Sequence, residues 1–193
     1  MTKREDSLQL QSKVLGPMKQ VEFDDWWEGR SVDVPLLGGL TLPVTFLDLN
    51  PSSDPSFVDE ADAALQKFLA KTLEDRGRIS PLVKQNCGDF LDAVGVDDWN
   101  LQMAQITQPD DIWDFVHPKA IRINRRRRRD KALYLQIECE CDWEEEHGLL
   151  LVFREGEHLT RVSDQDGHLT EADAYDKPDD EDDMLWAVLN HPS

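Results

Sequence analysis

Residues 133–142 alternate without a break. Leu133, Leu135, Ile137, Cys139 and Cys141 fall on one face of an extended chain, and Tyr134, Gln136, Glu138, Glu140 and Asp142 fall on the other. Residues 149–154 are apolar on both faces, the pattern of a strand with neighbours on each side. Glu155-Gly156 hands the chain on to a further strand over 158–163. Residues 120–124 supply a strand before the alternating run, with 125–130 as the turn between them. This order predicts an antiparallel meander of three or four strands.

Ahead of the meander the period changes. Ser56 followed by Asp59 has the form of a capping box, and Ala61, Ala64, Leu65, Phe68, Leu69, Thr72 and Leu73 recur at spacings of three and four. The spacing predicts one helix over 56–75, with Asp62, Lys67 and Lys71 left to water. A second helix is expected from Ser80, with Pro81 at its first position, to Gly95, offering Leu82, Val83, Cys87, Phe90, Leu91 and Val94 to the core. Residues 97–116 keep no period and predict short helical pieces. Earlier, 31–36 and 40–47 read as strands joined at Gly38-Gly39, and Pro35 and Pro43 place them at a sheet edge.

The predicted fold class is therefore α+β: an antiparallel sheet packed by two or more helices on one face. Residues 1–20, broken by Gly16-Pro17, read as a flexible arm, and 21–175 as one domain. Residues 176–193 read as an acidic tail with a short apolar end, and the acidic stretch 171–183 is expected to be solvated and mobile.

The formal net charge of −19 disfavours nucleic acid and anionic lipid and favours a basic protein partner. The longest apolar run, 149–153, is too short to cross a bilayer, and the first thirty residues contain no signal-like apolar stretch. Three cysteines cannot all pair, and Cys139 and Cys141 are splayed along one strand face. Reduced thiols and a cytoplasmic location are expected.

Residues 139–148 read Cys-Glu-Cys-Asp-Trp-Glu-Glu-Glu-His-Gly and hold the residue types that metal binding or acid/base chemistry needs. Cys139, Cys141 and His147 with Glu144 or Glu145 make an imaginable zinc set, but one residue between the thiols on a strand holds the sulfurs apart, so no metal is assigned. Glu144, Glu146 and His147 would carry a hydrolase-type alternative. No glycine elbow, phosphate loop or His-Glu-x-x-His helix accompanies them, so no catalytic residue and no cofactor is assigned. Trp143 reads as a packing anchor. Asp164, Asp166, Gly167, Leu169 and Asp173 fit part of a calcium loop, but Val162 stands where its first ligand belongs, and a hairpin turn at Asp166-Gly167 is expected instead.

Arg125, Arg126, Arg127, Arg128 and Arg129 suit phosphate contacts but have no interleaved aromatics for stacking bases. Contact with the acidic tail, or with an acidic partner, is expected of them. As exposed pairs these contacts would each contribute ~0–1 kcal/mol, so removing the tail should barely change stability while uncovering the arginines to polyanions.

The stretch 134–149, continuing through Val152 and Phe153 to Gly156, resembles a bacterial domain-of-unknown-function family. Its marks are a strand ending in Cys-x-Trp-Glu-x-Glu-His-Gly, then an apolar strand and a Gly turn. The matching positions are Trp143, Glu144, Glu146, His147 and Gly148, and the resemblance extends over about residues 24–175 in general pattern. It implies a small α+β protein, and similarity to toxin-immunity-type proteins implies a non-catalytic, protein-binding role. The marked positions read as a strand terminus fixed by packing of Trp143 and by hydrogen bonds to Glu146 or His147.

Overall fold

The computed structural model describes residues 10–21 and 25–190. Among the described residues ten strands form: β1 (Leu10–Ser12), β2 (Gly16–Gln20), β3 (Trp27–Glu28), β4 (Val32–Val34), β5 (Leu40–Leu42), β6 (Val44–Phe46), β7 (Val116–Arg125), β8 (Leu133–Cys141), β9 (Leu149–Arg154) and β10 (His158–Ser163). The helices are α1 (Phe57–Leu69), α2 (Leu73–Val94), α3 (Leu101–Ala104), α4 (Glu171–Ala174) and α5 (Asp183–Asn190). One large sheet runs in the order β1-β2-β3-β6-β7-β8-β9-β10, and β4 and β5 form a separate ribbon. Within the large sheet only β6 and β7 run parallel among the described residues, because α1 and α2 lie in the connection between them. The architecture is α+β, as the alternating and helical periods predict. No described helix is long and apolar enough to cross a membrane.

The meander follows the expected register. Ile137 sits opposite Ile121 on β7 and Leu151 on β9, so the odd-numbered face of β8 is continuous across three strands. That face packs on Phe57, Leu65 and Phe68 of α1 and on Val83, Cys87 and Leu91 of α2. β7 starts earlier than the apolar run suggests and takes in Pro118, at a bulge where the ladder already shifts register.

Several expectations are corrected. Residues 10–20, expected as a flexible arm, form β1 and β2 at the sheet edge, while the first nine residues lie outside the described set. Asp62, expected in water, is buried at 2 % exposure. It accepts hydrogen bonds from the Ser12 hydroxyl and from the Lys13 amide at 2.6 Å, fastening the β1–β2 turn to α1. The helix predicted over 56–75 breaks at residues 70–72. The Ser56 side chain does not cap α1. The capping box is Thr72 with Asp75, whose Oδ2 accepts from the Thr72 amide at 2.8 Å, so α2 begins at Leu73 and Pro81 lies inside it. Val44–Phe46, expected at an edge because of Pro43, is central: Pro43 precedes the strand and costs it no ladder bond.

Both faces of the meander are covered. Tyr134, Leu150 and Val152 point away from α1 and α2 and pack with Ala132 and Leu169 in a second, smaller apolar cluster. The cover continues through the stretch expected to be mobile. Asp182, 1 % exposed, accepts from the Ala172 amide at 2.9 Å and the Leu185 amide at 3.0 Å, tying α4 to α5. Asp164–Gly167 is a turn, but no strand returns from it, so it is not a hairpin.

The cysteines are unpaired and buried, at 2 % exposure or less. Burial pushes the thiols up, Cys87 to about 11 and Cys141 to about 12, and raises Cys139 in the same direction. Unfolded thiols titrate near ~8.5. Their contribution to stability is therefore whole below that pH and is lost as pH rises towards about 11 and about 12. Urea midpoints should fall steadily over this range, and a water-soluble thiol reagent should modify the native protein far more slowly than the unfolded one. A flat stability profile, or fast native labelling of Cys139 and Cys141, would contradict the register.

Candidate functional site

The Trp143–Gly148 turn is built from contacts within itself and to its neighbours. Trp143 is buried and its indole N–H donates to Asn86 Oδ1 on α2 at 3.2 Å. Glu144 Oε1 accepts from the amides of Glu146 at 3.0 Å and His147 at 3.2 Å, closing the turn. The strand terminus is thus held by burial of Trp143 and by hydrogen bonds to Glu146 and His147, made at their amides with Glu144 as the acceptor. A three-residue turn leaves the following amides unpaired and within reach of the first side chain. Glu145, Glu146 and His147 point to solvent. Gly148 has φ +62°, and a Cβ there would lie 2.5 Å from the Cys139 carbonyl oxygen, so only glycine fits. Among the described residues no three His, Cys, Asp or Glu side chains are grouped to hold a metal ion. Of the hydrolase-type trio, His147 Nδ1 lies 3.6 Å from Glu144 Oε1, and Glu146 stands apart in solvent.

The arginine turn between β7 and β8 is different. Arg126 is 3 % exposed at its side chain. It forks onto Asp173 with two bonds of 2.9 Å and onto Asp179 with bonds of 2.9 and 2.7 Å, and it donates to Thr170 Oγ1 at 3.0 Å. Burial alone would lower its pKa, but the bonds to Asp173 and Asp179 outweigh that and hold it above the ordinary value. Arg129 lies 3.2 Å from Asp179 and 3.9 Å from Asp176. Arg125 turns the opposite way, to Asp54 at 2.6 Å and Glu60 at 2.8 Å. Arg127 donates to the Asp48 carbonyl at 2.5 Å, and Arg128 is exposed.

Of the five arginines, Arg126 and Arg129 contact the acidic stretch, Arg126 through buried forked bonds and not as an exposed pair. Two further arginines on the same sheet face repeat the arrangement: Arg161 on Asp166 and Glu171, and Arg154 on Asp130. The Asp173-x-x-Asp176-x-x-Asp179 spacing was the available signal. Sequence reasoning missed its depth because charge-rich segments are usually solvated.

A third region lies on neither motif. Between α2 and α3 the side chains of Val94, Val96, Trp99 and Leu101 are 54, 57, 58 and 42 % exposed. Asp92, Asp97 and Asp98 surround them in the chain, also exposed. An adjoining groove of about 430 Å³ is lined by Cys87, Leu91, Asp92, Met103 and Ile106. Val94 was expected in the core, yet α2 ends there and Gly95 turns the chain outward.

No curated protein and no solved structure matches the chain. The DUF6985 family, described as a domain of unknown function, matches residues 17–169, which takes in the meander, both long helices and the Trp143–Gly148 turn, and the chain belongs to that family.

Proposed function

We propose that the chain is a non-catalytic protein-binding domain that takes a basic protein partner on the surface around Trp99. The observation that carries this reading is the exposed run Val94, Val96, Trp99 and Leu101 set among Asp92, Asp97 and Asp98. An exposed indole with aliphatic neighbours offers the anchor of an interface, and a carboxylate rim steers and orients a cationic partner. A net charge of −19 adds long-range attraction for that partner. Three unpaired cysteines suit the reducing bacterial cytoplasm, and the sequence resemblance gives the reading a specific form, an immunity-type protein that neutralises a basic toxin.

The test is cross-linked capture in the source cell with the wild-type chain and with Trp99→Ala, followed by mass spectrometry and calorimetry with the purified partner. The partner should be basic, and Trp99→Ala should weaken it at least ~30-fold, the effect of a central aromatic anchor of about 2 kcal/mol. His147→Ala should leave binding unchanged. Full affinity of the basic partner for Trp99→Ala, or an acidic protein as the partner whose capture depends on Trp99, would refute the proposal.

A further inference from the structure

A cleft of about 360 Å³ opens between the arginine turn and residues 167–176, lined by Asn124, Arg127, Arg128, Arg129, His168 and Asp176 among others. Arg126 at its base is already satisfied by Asp173 and Asp179. The outer wall is not. Among the described residues Arg128 has no hydrogen-bond or ion-pair partner, and the side chain of Asp176, 105 % exposed, approaches Arg129 only to 3.9 Å. The chain's own carboxylates thus show what the inner wall accepts, and the outer wall keeps guanidinium groups for more of the same.

We infer that this cleft docks an acidic peptide segment of a partner protein. Its carboxylates take Arg128 and replace Asp176 on Arg129, extending the row that Asp173 and Asp179 begin on Arg126. Carboxylate is the fitting chemistry because a guanidinium fork matches it, as Arg126 shows on Asp173, and Arg129, three residues on in the same turn, also bonds a carboxylate, that of Asp179. Nucleic acid fits poorly: the cleft lining includes no Phe, Tyr or Trp on which successive bases could stack. This surface shares no residue with the one around Trp99, so either proposal can fail alone.

The experiment is fluorescence anisotropy with full-length protein at low ionic strength. The probe is a labelled peptide copying residues 171–181, and the control is the same peptide with every Asp and Glu changed to its amide. The acidic peptide should bind and the amide form should not. Arg128→Ala should weaken binding about fivefold and Asp176→Asn should strengthen it by a similar factor, the scale of one exposed charge pair. Trp99→Ala should leave it unchanged. Absence of binding, equal binding of the amide peptide, or no effect of Arg128→Ala would each overturn the inference. Displacement of the peptide by inorganic phosphate at equal charge would overturn it too, by making the cleft a small-anion site.

Discussion

The double variant Asp173→Ala/Asp179→Ala is expected to lose roughly 3–5 kcal/mol of stability in urea unfolding, the cost of leaving one buried charge unpaired. The reason is the position of Arg126. Its side chain is 3 % exposed and donates four of its five hydrogen bonds to these two carboxylates, so their removal strips a buried charge of most of its partners. A third change separates this from loss of packing. Adding Arg126→Met to the double variant removes the stranded charge and should recover a large part of the loss, since exchanging a whole buried ion pair for apolar groups is often neutral. A loss below about 1 kcal/mol in the double variant would instead mean that the pairs behave as exposed ones. The same geometry reverses the expectation that the acidic stretch is dispensable for stability.

Gly156→Ala is expected to cost roughly 3 kcal/mol or more, from overpacking combined with a left-handed backbone. Gly156 has φ +70°, and a Cβ on it would lie 1.9 Å from the Ala64 carbonyl oxygen of α1. Both parties are backbone, so the β9–β10 turn and the helix would have to separate. Gly167→Ala is the control: φ is +81° there but nothing lies within 4 Å, leaving only the left-handed strain of ~1–2 kcal/mol. Chemical denaturation of the two variants therefore measures the close approach of α1 to the meander. Equal losses would mean that α1 yields at Ala64.

The meander was legible because its signal is local and of period two: once Leu133 and Leu135 are assigned to one face, Cys139 and Cys141 must follow. The break between α1 and α2 was hidden because Thr72 and Leu73 continue the spacing of three and four beyond the helix end, although Leu73 is 52 % exposed. Its true marker, Thr72 with Asp75, was present but lay inside a run that already read as helical. The pairing of β6 with β7 leaves no trace in either strand, since parallel partners far apart in the chain carry no shared turn residue. At the candidate sites the arginine run and its acidic counterpart were legible as charges. Burial of Arg126 was not, because it depends on how Leu169 and Thr170 bring the acidic stretch over the second face of the sheet.

The parallel pairing also bears on the order in which a growing chain can assemble. β1, β2, β3 and β6 leave the ribosome as a small ribbon whose sheet neighbour, β7, is made roughly 70 residues later, a delay of several seconds at synthesis rates of ~5–20 residues per second. Such a ribbon has little surface to bury on its own, and closing so long a loop is rewarded only once the helices have packed. The hairpins from β7 to β10 close on neighbours a few residues away. The N-terminal strands therefore complete the sheet by docking onto an edge that did not exist when they emerged.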